Sequence, residues 1–116
     1  MILAEAGVYA AEFPQVLGGD LNASAANPVL KLALGAGWTN TQAAAPGARD
    51  EGNTTHGFLG EQNTAKAEAA RKRGPVDFIL TRGPVSTLAW KIIRDSRDGR
   101  YPSDHYFIGA TLAFNA

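Results

Sequence analysis

Residues 16–24 read Val16-Leu17-Gly18-Gly19-Asp20-Leu21-Asn22-Ala23-Ser24, a short buried-strand pattern that runs straight into polar groups. Side chains alternate along a strand, so a carboxylate and a carboxamide two residues apart at its end, Asp20 and Asn22, point the same way. The glycines before them allow close backbone approach. The same residues also describe a plain turn with Asx caps. Upstream, Ile2, Leu3, Ala6, Val8, Tyr9 and Phe13 fall near helical spacing and predict a helix over 2–13, which Pro14 ends. Downstream, Asn27-Pro28 reads as an N-cap followed by proline at the first helical position. Val29, Leu30, Leu32, Ala33 and Leu34 give that helix its apolar face, and Gly35 and Gly37 stop it.

From Thr39 to about Pro75 the periodicity is lost, and 39–75 reads as one long loop, with a short helix allowed over 64–73. Periodicity then returns. Val76 to Leu80 reads as a buried strand; Leu88, Trp90 and Ile92 alternate with Thr87, Ala89 and Lys91 as on a half-buried strand. Asp98-Gly99 is a strong turn signal. Tyr106 to Phe114 forms a last strand that is apolar on both faces. With neither an internal repeat nor an interdomain linker, 1–116 is a single domain of the α/β class, with helices on one face of a sheet.

Composition makes that core thin. Alanine supplies 21 of the 52 apolar residues, and a chain of 116 residues is limited in the surface it can bury. There is no cysteine, so disulfides and thiolate metal sites are excluded. No apolar run approaches the roughly 20 residues that a membrane-spanning helix needs. The start carries Glu5 and Glu12 without a basic leader region, so it predicts no cleavable signal and, if native, a soluble cytoplasmic protein. The net charge of zero argues against a dedicated electrostatic nucleic-acid binder. The charges are uneven, however: residues 66–116 hold nine basic and five acidic side chains. That excess is read either as a solvated face or as a local rim that attracts anions.

Two further segments carry polar groups where apolar ones are expected. Asp77 sits inside Pro75-Val76-Asp77-Phe78-Ile79-Leu80, so it must face solvent on an edge strand or have a buried partner. Ser103-Asp104-His105 directly precedes the last strand, and adjacent Asp and His side chains diverge. Taken together, GGDLNAS, then Thr55-His56-Gly57-Phe58, then VDFIL, then Arg100-Tyr101-Pro102-Ser103-Asp104-His105 resemble the endonuclease/exonuclease/phosphatase superfamily, the DNase I-like metal-dependent phosphoesterases. The order and strand contexts match the C-terminal half of that family across essentially the whole chain.

The resemblance implies half of a four-layer α/β/β/α sandwich with a mixed, mostly antiparallel sheet. It also implies roles. Asp20 matches the acid that orients or deprotonates the attacking water, and Asn22 the amide that holds the phosphate. Asp104 matches a carboxylate near the divalent metal, Mg²⁺ or Mn²⁺. His105 matches the imidazole on the scissile phosphate, and Asp77 the acid that orients it; His56 is implied in substrate binding. Pro75 stands where the family often has arginine before the position of Val76, and Phe107 where proline is frequent. The family's N-terminal half supplies one sheet, an early asparagine and the main metal-binding glutamate, which neither Glu5 nor Glu12 matches. The metal is therefore expected to bind weakly, and the uncovered sheet face to pair with a second copy in a homodimer. Two functions follow: a metal-dependent phosphodiesterase half-domain, with nucleic acid among its possible substrates, or an inactive remnant that dimerises or binds.

Overall fold

In the computed structural model of the chain the described residues are 5–8, 12–47, 52–58, 60, 69 and 72–115. Most of the helices predicted over 2–13 and 64–73 lies outside them. Within the first, Val8 N–H donates to the Glu5 carbonyl at 3.3 Å, and the Gln15 amide donates to the Ala6 carbonyl at 3.0 Å.

The strand that ends in Asp20 is β1 (Gln15–Asp20), and the strand that begins with Asp77 is β3 (Asp77–Arg82). They run antiparallel with Leu17 opposite Leu80, Gly19 opposite Phe78 and Asp20 opposite Asp77. A two-residue strand, β2 (Thr39–Asn40), pairs with the other edge of β3, so the order is β1-β3-β2. Period-2 alternation then sorts the residues. Leu17, Phe78 and Leu80 face the helical side and join Ala23, Leu30, Ala33 and Trp38 in the first core. Asp20, Asp77 and Ile79 turn to the other face.

Helix α1 (Pro28–Gly35) starts as the sequence reading expects: Asn27 Oδ1 accepts from Val29 N–H at 3.0 Å, and Pro28 follows the cap. It buries Leu30 and Ala33, three residues apart, against the sheet. Its end is a Schellman closure, with Trp38 N–H donating to Ala33 O at 3.1 Å and Gly37 N–H to Leu34 O at 3.2 Å. Gly37 has φ +91°, a left-handed conformation that glycine adopts without a Cβ penalty.

The stretch after Thr39 is more ordered than its lack of periodicity predicts. Besides β2 it forms a short helix, α2 (Thr41–Ala44), capped by Asn40 Oδ1 on Gln42 N–H at 3.1 Å. Thr41 is fully buried, and its hydroxyl donates to the Ile79 carbonyl at 2.7 Å. Farther on, Thr54 is fully buried and accepts from Val76 N–H at 3.2 Å. These anchors are polar side chains bonded to backbone, so they leave no mark on a hydropathy pattern.

The remaining strands, β4 (Val85–Ile93) and β5 (Phe107–Phe114), form a separate antiparallel ribbon. Trp90 and Ile92 are buried with Tyr106 in a second core. Leu88 departs from the expected alternation and is 52% exposed. The register shifts between Thr87 and Ala89, and an extra residue at a bulge breaks the parity of the strand. The Asp98-Gly99 turn forms as expected: both residues have positive φ, +52° and +73°, and Arg97 and Arg100 exchange backbone hydrogen bonds of 2.9 Å.

Candidate active site

Asp20 and Asp77 are directly opposed across β1 and β3, so alternation puts both carboxylates on one face. Since β3 lies between β1 and β2, Asp77 is not on an edge strand. Its burial is answered by a partner instead: His105 Nδ1 lies 2.8 Å from Asp77 Oδ2, with the two side chains 24% and 17% exposed. One ligand atom from each of Asp20, Asp77 and His105 lies within 4.8 Å of the others.

Local backbone fixes each member. Asp20 accepts Asn22 N–H at 2.8 Å in an Asx turn, with Asn22 at φ +49°, and Leu21 N–H donates to Val76 O at 2.9 Å. His105 N–H is held by the Ser103 hydroxyl at 3.1 Å. Thr55 bridges to His105, while His56 and Gly57 N–H both reach the Asp104 carbonyl, at 2.9 and 3.0 Å. Tyr106 N–H donates to Thr54 O at 2.6 Å. The segment 52–58 is thus a clamp on the loop that carries the histidine.

The three side chains open onto a cleft of about 570 Å³, which Ser103, Asp104, Phe107 and Ile108 also line. Burial works to lower the His105 pKa, but its hydrogen bond to Asp77 and the charges of Asp77, Asp104 and Asp20 hold it above the ordinary 6.5. With Nδ1–H given to Asp77, the other ring nitrogen is left for chemistry. The carboxylates of Asp20 and Asp77 at an open cleft offer oxygen ligands of the kind a hard divalent cation takes, one or two carboxylates with several waters kept.

The raised pKa has a testable sign. His105 binds its proton more tightly folded than unfolded, so its contribution to stability is complete below about pH 6.5 and is lost as pH rises through its folded value. In the metal-free chain, urea midpoints are expected to fall across that window, and Asp77→Asn to flatten the fall. An unchanged pH dependence in Asp77→Asn sinks this assignment.

The other expected site residues are placed as follows. Asn22 is exposed, adjoins the site through its backbone, and is outside the cleft lining. Asp104 lines the cleft but is not in the group of closely spaced ligand atoms, in keeping with the divergence of adjacent side chains. His56, expected at the substrate, is not brought to the cleft. It is 7% exposed, its ring centroid 4.6 Å from Tyr101 and 4.3 Å from Tyr106, and its Nδ1 accepts Gly60 N–H at 3.3 Å. Its Nε2 is buried without a hydrogen-bond partner among the described residues, and the motif around it supplies backbone donors to the Asp104 carbonyl. Ser103 and Thr54 are the positioning residues that sequence reading missed; the only signal was a hydroxyl beside each motif.

Residues 2–105 match the endonuclease/exonuclease/phosphatase family. The chain belongs to that family. An endonuclease/exonuclease/phosphatase from Bacteroides vulgatus superposes with a TM-score of 0.77 at 21% identity, over 98% of this chain and 41% of that one. A family protein from Leptotrichia buccalis C-1013-b gives 0.68 at 22% identity, over 97% and 41%. A functionally unknown conserved protein from Enterococcus faecalis V583 gives 0.71 at 24%, over 98% and 42%. This endonuclease/exonuclease/phosphatase chain therefore spans about two-fifths of the length of these structures, and its fold is the DNase I-like one seen in them. None of the curated proteins matches it.

Proposed function

We propose that this domain hydrolyses phosphodiester bonds with a divalent cation. The observation that carries the reading is Asp77, a carboxylate in a central apolar strand, bonded to His105 and facing Asp20. A half-buried acid in an apolar strand is costly unless it is paired, and here the pairing orients a histidine beside a second acid. In this reading Asp20 positions the attacking water and takes its proton. His105, held by Asp77, donates from its free ring nitrogen to the phosphate as negative charge builds; the P–O ester bond opposite the water breaks, and the leaving oxygen takes a proton from solvent. Asn22 adds an amide donor to a phosphate oxygen, and Asp104 is the carboxylate that would hold the metal. A bound Mg²⁺ or Mn²⁺ supplies Lewis-acid stabilisation of the non-bridging oxygens.

The test is hydrolysis of bis(4-nitrophenyl) phosphate and of a plasmid with added Mg²⁺ or Mn²⁺. Activity is expected to vanish in Asp20→Ala and in EDTA; activity that survives both is contamination. Inactivity of the unmodified chain with either metal overturns the reading in favour of a binding or dimerising module.

The same reading covers the exposed sheet face with a second copy of the chain. Its support is Val16, on the same face of β1 as Asp20, and Phe107, in the cleft wall, each 51% exposed. Light scattering at micromolar concentration is expected to return the mass of two chains. A one-chain mass with cooperative unfolding sinks it.

A further inference from the structure

The Asp98-Gly99 turn places two arginines against each other. Arg97 and Arg100 each donate a backbone N–H to the other's carbonyl at 2.9 Å, so they form a directly opposed pair on one face of the turn between β4 and β5. Such pairs hold their Cβ atoms about 4.5–5.5 Å apart, and like charges there are destabilising. Both arginines are exposed, and among the described residues neither guanidinium has a carboxylate partner. Arg94, by contrast, lies over the Tyr106 ring at 5.8 Å. An opposed cationic pair without a counter-charge is the local arrangement an anion relieves, and paired guanidinium forks match phosphate geometry.

The pair is also connected to the reactive cleft. Arg97 and Arg100 line a hollow of about 440 Å³ with Asp95, Tyr101 and Pro102. Those last three residues also line a smaller cavity that reaches His105 and Phe107, which in turn belong to the cleft of Asp20 and Asp77. The hollow has an acid of its own in Asp95, and Asp98 sits at the turn. Even so, the stretch 91–100 carries four basic residues against two acidic ones. At most about 18 Å separates the Cα atoms of Arg100 and His105, five residues of extended chain. A nucleic-acid strand advances about 3.4 Å along its axis per phosphate, so about five phosphate steps span that Cα separation.

We propose that Arg97 and Arg100 form a second phosphate subsite, and that the substrate is a nucleic-acid strand rather than a compound with a single phosphodiester. This rests on the phosphodiester reading of the neighbouring cleft. Arg97 and Arg100 hold a phosphate remote from the bond that breaks, fixing the strand along the track past Tyr101 and Pro102. They play no part in the chemistry.

The test compares hexathymidylate phosphorylated at both ends, with seven phosphates and hence six steps between them, and thymidylyl-thymidine, with one phosphodiester, as fluorescent probes binding the chain in EDTA across a salt series. In R97Q/R100Q, which keeps the polar stems and the backbone bridge, affinity for the hexamer is expected to fall about tenfold at low salt. The slope of log K against log salt should shrink by about 1.4, two single-strand phosphate contacts. Thymidylyl-thymidine binding and bis(4-nitrophenyl) phosphate hydrolysis should not change. Lys31→Gln, which removes a positive charge from exposed α1, should leave all of these unaltered. Failure of the hexamer to bind, an equal loss on both probes, or an equal loss in Lys31→Gln overturns the subsite. If the chain binds the hexamer through the pair yet hydrolyses nothing, the hydrolytic reading fails and the subsite stands. If it hydrolyses and R97Q/R100Q binds normally, the reverse holds.

Discussion

Replacing His105 with alanine is expected to lower phosphodiester hydrolysis by about 10³-fold, within the range for loss of a positioned general acid or base. The loss should fall on kcat, because a group that meets charge developing on the phosphate acts mainly in the transition state. Asp77→Asn keeps the shape of the residue but removes the charge that holds the Nδ1–H tautomer, and its effect should be about 10²-fold. Because Asp77 acts through His105, the double variant should be no slower than His105→Ala alone. Both side chains are partly exposed, so circular dichroism and urea midpoints should show the variants folded. Independent, multiplying losses in the double variant overturn the idea that Asp77 works by orienting the histidine.

Leu80→Ala should give the largest loss of stability, about 3 kcal/mol. Leu80 is 1% exposed, lies in the central strand opposite Leu17, and packs with Leu30, Trp38 and Phe78. A cavity there has few neighbours able to collapse into it, because the first core contains only six buried apolar residues among those described. Leu88→Ala removes the same atoms from the bulge, where they are half in water, and should change stability by no more than about 0.5 kcal/mol. Urea denaturation of the two variants gives the comparison directly. Equal losses would mean that Leu88 is covered in solution.

The strands at 16–20 and 76–80 were legible because each is a short apolar run bounded by turn residues, and the Asp98-Gly99 turn because its two residues tolerate positive φ. The capped start and Schellman end of α1 were legible for similar local reasons. What escaped is non-local. Nothing near Asp20 indicates that Asp77 will stand opposite it, since that pairing depends on the register of strands 57 positions apart in the sequence. The motif resemblance brought them together before the geometry did. Likewise, one extra residue at Leu88 reverses an alternation that looks regular on paper. The position of His56 between two tyrosines is also decided by the fold and has no local mark in the sequence.

The clamp at 52–58 has an evolutionary consequence. Three hydrogen bonds tie it to the histidine loop and to Tyr106, and all three are made by main-chain atoms, those of Thr54, His56 and Gly57. Main-chain partners survive almost any side-chain replacement, so drift in these letters erodes the recognisable motif sooner than it misaligns the histidine. A relative could lose the Thr-Thr-His-Gly signature and retain a competent reaction centre, provided it keeps a hydroxyl at position 54 and a ring able to fill the space between the tyrosines.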